Sequence, residues 1–380
     1  MNKKHKAVLL GTMITLALQT GSAYAEAVPE DVYEKYVEFG VNEEKENDEG
    51  RAAISLRDIE DKEFTFKKGA TIDSSKLVYD NEGVHSAGII NTTENNKITI
   101  NLGNNEEKSK FNLITKTPNY PYITRWGFNS CVDNGGKINI NATNTDMNFS
   151  VRENENIEES NANSVHIGIL NGSEMNVIGD ENKKSNLYLE GQITNRSIYM
   201  MDNSKLNIKN LNDLKINDKY LNGQNSAIDI GGVLLGEARS SMTLENINNI
   251  EIKPSSEIID RGIKYGIYMG SGINSRTADV KITDVGKFQI GDDIDIKENG
   301  QLESVVDDKV VDDKVRLVYG IRSDGSDFRI ENVDKISINS VAAGIYMGSG
   351  YNSPVEDFSN KLKIDTNSIY INAIDKKLIN

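Results

Sequence analysis

Cysteine is nearly missing from this 380-residue chain: Cys131 is the only one. A single thiol cannot build an internal disulfide framework, so stability has to come from packing and hydrogen bonding. Proline is scarce, at five residues, and mean hydropathy is low, at −0.50. Asn, Gly, Ser, Thr and Asp are abundant instead, which suits many corners around a thin core. Basic residues are outnumbered 43 to 58, for a formal net charge of −15. That balance argues against nucleic acid and against anionic membrane surfaces as electrostatic partners. After residue 25 no stretch is apolar enough to span a bilayer as a helix.

Catalytic signatures are equally sparse. Beyond the first 25 residues the only histidines are His85 and His166. His166 stands beside a repeat anchor and reads as a rung-surface residue. No Gly-Asp-Ser-Gly or Gly-x-Ser-x-Gly context presents a serine nucleophile. Cys131 has no visible basic activation and reads as a buried or semi-buried thiol. Two acidic groups, Asp292/Asp293/Asp295 and Asp307/Asp308/Asp312/Asp313, are the candidates for the carboxylate clusters, often with Ca²⁺ and an arginine, that a β-helical polysaccharide lyase or hydrolase needs. The second group lies in a tandem Val-Asp-Asp-Lys duplication and reads as a solvated loop; the first follows a strand. No catalytic, cofactor-binding or metal-binding residue is assigned, and the chain is expected not to be an enzyme.

What is present is repetition. Gly-Ile-Tyr-Met-Gly-Ser-Gly occurs at Gly266–Gly272 and again at Gly344–Gly350. Degenerate copies of this anchor are Ala87-Gly88-Ile89, Trp126-Gly127-Phe128, Ile167-Gly168-Ile169, Ser197-Ile198-Tyr199, Ala227-Ile228-Asp229-Ile230 and Tyr319-Gly320-Ile321. A second motif follows several anchors with constant spacing. Its copies begin Ile208-Lys209-Asn210-Leu211, Leu244-Glu245-Asn246-Ile247, Ile282-Thr283-Asp284-Val285 and Ile330-Glu331-Asn332-Val333. Apolar residues at period two share one face of a strand. Asn or Asp at the third position tolerates the left-handed region and turns the chain. Gly270-Ser271-Gly272 supplies another bend.

One short cycle spells out a coil: strands at 318–322, 327–331 and 335–339, then the next turn at 343–347. Such units cannot bury an apolar face alone and must stack. The expected fold is therefore all-β: a right-handed parallel β-helix, with strands of successive coils paired in parallel. Hairpins in a sandwich or barrel would require Asn-Gly turns at every step. Asn134-Gly135, Asn171-Gly172, Asn222-Gly223, Asn299-Gly300 and Asp324-Gly325 exist, but none is expected to recur in register with the repeat. Within each Ile-Tyr-Met anchor, Ile267 and Met269 should face the core and Tyr268 should face outward. Tyr346 and Tyr199 occupy the same repeat position, so an outward aromatic ladder is expected, able to bind glycan or host protein.

The ends divide the chain further. Residues 1–25 read as a signal peptide: Lys3, Lys4 and Lys6, an apolar run at Ala7–Leu18, and a small-residue Ala23-Tyr24-Ala25 cleavage site. Residues 26–62 are charged and lack the repeat; helical stretches at Pro29–Val37 and Arg51–Leu56 suggest a flexible or helical extension. Residues 63–380 carry the β-helix repeats, and the repeat-like Leu362-Lys363-Ile364 and Ile369-Tyr370-Ile371 run close to Asn380, so the repeat array is expected to be cut short.

A signal peptide followed by Asn/Gly-rich repeats of the Tyr-Gly-Ile-Tyr type resembles the passengers of type V secretion autotransporters of Gram-negative bacteria. The resemblance covers roughly residues 80–375 and implies an exported, surface-exposed β-helical stalk, often adhesive, at the outer membrane or outside the cell. It also implies an outer-membrane β-barrel translocator as partner, a part with no counterpart in this sequence. A host glycan or matrix protein would be the target, and nucleic acid is not expected to be a partner. The rival expectations are a polysaccharide enzyme and a gene fragment without a function of its own.

Overall fold

The computed structural model describes residues 37–39, 51–56, 61–74, 85–116, 126–152, 163–193, 196–220, 226–231, 239–256, 265–270, 278–291, 319–340, 343–348 and 361–373. Among these residues there is no helix. Every strand pairing is parallel, as stacked coils demand. One side of the solenoid is a ten-stranded sheet running in chain order from Val37–Phe39 and Arg51–Leu56 through His85–Asn91, Trp126–Val132, Asn163–Ile169, Arg196–Met201, Ser226–Gly231, Tyr265–Met269, Tyr319–Asp324 and Ala343–Gly348. All eight anchors lie in it. At an interstrand spacing of about 4.8 Å this side is roughly 45 Å long.

The other two sides form a second sheet. Lys62–Phe66, Lys97–Gly103, Lys137–Thr143, Glu174–Ile178 and Lys205–Lys209 stack as one leg. Gly69–Asp73, Ser109–Lys116, Thr145–Arg152, Asn186–Ile193 and Asp213–Tyr220 stack as the other. From Ser241–Ile252 onward a single long strand serves both legs, repeated in Asp279–Ile290, Asp327–Ser340 and Leu362–Ala373. The bend inside or between legs falls on the second motif's third residue. Asn210, Asn246, Asp284 and Asn332 all have φ between 53° and 58°, the left-handed region that Asn and Asp accept best among non-glycine residues. Their side chains also link coils: Asn246 Nδ2 donates to Asn210 Oδ1 at 2.8 Å, and Asn332 Nδ2 to Asp284 Oδ1 at 2.6 Å. A parallel amide ladder joins Asn139, Asn176 and Asn207.

The core is built of stacked columns. Ile167, Ile198, Ile228, Ile267 and Ile321 succeed one another on the first sheet, and each is fully buried. Leu206–Met242–Val280–Phe328 and Ile208–Leu244–Ile282–Ile330 do the same on one leg of the second. Each such side chain contributes about 1.5–3 kcal/mol on burial. The fold is thus the parallel β-helix expected from the repeats.

Three details depart from the expectation. Arg51–Leu56, expected as helix, is a strand whose Ala52 and Ile54 stand opposite Ala87 and Ile89; a neighbouring edge with open backbone groups outweighs a modest helix propensity. The β-helix therefore starts within residues 26–62. Second, Asn134-Gly135 and Asn171-Gly172 do recur in register. Both residues of each pair have positive φ, and Gly135 N donates to Asn171 O at 3.0 Å. They turn the chain from the first sheet to the second, not into a hairpin. Third, the anchors at 126–128 and 167–169 are offset. Gly127 pairs with Ser86, and Gly168 with Cys131 and Tyr199. The column of Gly88 instead continues through Asn129, His166, Ser197, Ala227, Gly266, Gly320 and Gly344, the residues lying between the paired positions on either side. A Cβ at Gly344 would meet Ile371 Cγ2 at 2.2 Å, so this column points into a narrow interior corner.

Candidate functional site

That corner holds the first of two side-chain clusters with distinctive chemistry. In the middle coils, polar side chains replace glycine. His166, Asn129, Ser197 and Asp218 are all fully buried. Asn129 Nδ2 donates to Leu113 O at 2.8 Å and to Ser150 O at 2.9 Å, which fixes its amide and turns Oδ1 toward His166 Nδ1 at 2.5 Å. The other ring nitrogen of His166 lies 2.8 Å from Asp218 Oδ1, and the Ser197 hydroxyl donates to Asp218 Oδ2. Serine, histidine and aspartate thus meet, but the carboxylate bridges the other two and water is excluded from all three. A nucleophile needs its hydroxyl on the base and a path for substrate. This cluster clamps three coils together instead. His166, expected on a rung surface, is interior because it shares the glycine column. Cys131 is buried, and burial together with Asp133 pushes its thiol pKa up, which keeps it protonated. It packs with Ala87, Ile90, Phe128 and Val165 in an apolar cluster separate from the main core. The His85 side chain and both acidic groups, Asp292/Asp293/Asp295 and Asp307/Asp308/Asp312/Asp313, lie outside the described residues. Among the described residues no group of three or more His, Cys, Asp or Glu is placed to hold a metal ion.

The second cluster is on the outer face of the ten-stranded sheet. Tyr199, Asp229, Tyr268, Arg322 and Tyr346 occupy one outward column in five successive coils. Three residues earlier in the same strands run Arg196, Ser226, Tyr265 and Tyr319. The two columns interlock. Tyr265 stacks on Tyr268 with ring centroids 4.8 Å apart and on Tyr319 at 5.6 Å, and Tyr319 meets Tyr346 at 5.8 Å. The Arg322 guanidinium lies among four rings, 5.3–6.0 Å from Tyr265, Tyr268, Tyr319 and Tyr346, a cation–π arrangement. It donates to Tyr265 Oη at 3.1 Å and to Asp324 Oδ2 at 3.0 Å. Lower on the ladder, Arg196 stacks over Tyr199 at 4.5 Å and pairs with Asp229.

Burial sets the electrostatics. It pushes the Tyr199 phenol up to about 12 and raises Tyr265 and Tyr268 as well, the last helped by Asp324 and Asp229. Burial lowers the Arg322 guanidinium, but Asp324 together with Tyr265 and Tyr268 more than offsets it, so Arg322 stays charged. Burial raises Asp229 against the pull of Arg196. The ladder therefore presents neutral phenols and paired charges. Tyr346 is 43% exposed at its upper end.

Tyr199, Tyr268 and Tyr346 stand where the repeat places them, outward and in one column. Sequence reading missed Arg322, Tyr265, Tyr319 and Asp324. Tyr265 and Tyr319 sit an odd number of positions from the outward column, and strict alternation would turn them inward. The irregular step at Gly266 and Gly320 returns them to the outer face. The shared Tyr-Gly at 265–266 and 319–320 was the available signal. No family model, no curated protein and no solved structure matches the chain.

Proposed function

We propose that this chain is an exported β-helical passenger segment, of the autotransporter kind it resembles, whose tyrosine–arginine ladder is a glycan-binding adhesive face. One observation carries the reading: five tyrosines and two arginines from successive coils gather on one outward face of a rigid sheet. Tyr and Arg are the residues that dominate recognition hot spots. Tyr offers a large amphipathic surface with little conformational entropy to lose. A regularly repeated ladder suits a regularly repeated ligand, and a polysaccharide is such a ligand. Both arginines are already paired with carboxylates and the chain carries −15, so uncharged sugars fit better than acidic ones. The leader at 1–25 would export the chain, and an outer-membrane β-barrel, its own or a separate one, would carry it through the outer membrane.

The test is binding of the purified chain to an array of neutral and acidic glycans and to matrix proteins. Replacing Tyr268 and Tyr346 by Ala together should weaken neutral-glycan binding about tenfold or more, with the β-sheet circular dichroism spectrum retained although the lost ring stacking lowers the thermal midpoint. Binding unaffected by the double change, or restricted to acidic glycans or matrix proteins, would overturn the reading.

A further inference from the structure

The outward column Tyr268–Arg322–Tyr346 places one guanidinium between two rings. Arg322 stands opposite Tyr268 of the preceding strand and opposite Tyr346 of the following one. Tyr268 and Tyr346 are therefore two coils, roughly 10 Å, apart along the rod. Aromatic rings stack at centroid separations of about 4.5–7 Å, so these two cannot stack on each other. A guanidinium is planar and lies flat on aromatic faces. Arg322 fills the missing step, 6.0 Å from the Tyr268 centroid and 5.3 Å from that of Tyr346.

The same group ties the second column to the first. It lies 5.5 Å from the Tyr265 centroid and 5.7 Å from that of Tyr319, and its Nη1 donates to Tyr265 Oη at 3.1 Å. Nε donates to Asp324 Oδ2 at 3.0 Å, from a carboxylate that is itself buried. Rings from three coils thus share one contact group. An aromatic cage with a carboxylate at its rim is ordinarily a site for a cationic ligand. Here the chain supplies the cation.

We propose that Arg322 is the positioning residue of the ladder, a built-in occupant that holds Tyr265, Tyr268, Tyr319 and Tyr346 as one surface and closes their cage to external cations. Its effect on affinity rests on the glycan reading; its effect on the rings does not. Arg322→Ala should leave a flat slot between the Tyr268 and Tyr346 faces, with Tyr265 Oη and the Asp324 carboxylate as acceptors. That slot has the shape and the polar groups to take a free guanidinium, and methylguanidinium is the probe.

Near-ultraviolet circular dichroism of the full chain reads the tyrosine stacking directly. Arg322→Ala should lose much of the wild-type tyrosine signal while its far-ultraviolet β-sheet spectrum stays. Methylguanidinium at millimolar, non-denaturing concentration should restore the signal, and sodium chloride at equal ionic strength should not. Wild type should not respond to either. Neutral-glycan binding should fall about tenfold or more in Arg322→Ala and recover in part with methylguanidinium. Arg322→Lys keeps the charge without the planar fork and should still lose part of the tyrosine signal. A full tyrosine signal in Arg322→Ala, or restoration by sodium chloride as well as by methylguanidinium, would overturn the proposal. So would a full signal in Arg322→Lys, even if the alanine variant misfolds. Loss and rescue of the signal in a chain that binds no glycan would uphold the role of Arg322 and remove the glycan reading instead.

Discussion

The Asp218 carboxylate accepts from a histidine and a serine in a place no water reaches. Removing one member of such a group strands the others, and each buried polar group left unpaired costs about 1–3 kcal/mol. Asp218→Ala should therefore lower unfolding free energy by about 2–6 kcal/mol in a denaturant titration, whereas Glu190→Ala, at an exposed strand position, should change it far less. An equal effect of the two would remove the structural role assigned to the cluster. None of the cluster was legible in sequence. His166 was read from its own strand, where it flanks an apolar anchor; its column decides its direction, and the column is visible only once offsets between coils are known. The outward tyrosines were legible because Ile267, Tyr268 and Met269 form an unbroken alternation that nothing in their neighbourhood disturbs.

At the scale of the coil, the left-handed corners combine two demands on one residue. Asn246 holds φ at 57° and donates to Asn210. Ala at this position would lose the link, about 1 kcal/mol, and strain the backbone by about 1–2 kcal/mol. Gly would lose the link alone. Asn246→Ala should thus destabilise about two to three times as much as Asn246→Gly, read from chemical unfolding. An equal loss would mean that backbone strain does not matter there. These corners were legible in sequence because four copies share one spacing. The boundary between legs was not: whether a bend interrupts a strand or lies within it depends on whether pairing to the neighbouring coil continues through it, as it does from Ser241–Ile252 onward. Arg51–Leu56 was misread for a related reason, since the strand it joins lies 30 or more positions away.

For the whole molecule, the balance of neutral phenols and paired charges sets a working range of pH. Tyr199 on the ladder and Tyr188, on Asn186–Ile193 in the second sheet, are each pushed up to about 12, first by burial. An unfolded tyrosine titrates near ~10. The folded state holds these protons when the unfolded state has lost them, so their stabilising contribution is intact below ~10 and is lost as pH rises through about 12. The thermal midpoint should accordingly be flat from neutral pH to ~10 and fall steeply above it, with tyrosinate absorbance rising in step; ionisation of all tyrosines near ~10 with the fold intact would contradict the ladder's burial. The stacking that creates this ladder has another consequence. Gly344 follows Gly320 by 24 positions and Gly320 follows Gly266 by 54, yet both steps keep the same register. A coil needs the coil before it and little else, whatever length of chain lies between. The order of synthesis can then serve as the order of assembly. A polypeptide threading through a pore end first could stiffen coil by coil on the far side, each new rung templated by the last, and the growing rod would resist slipping back.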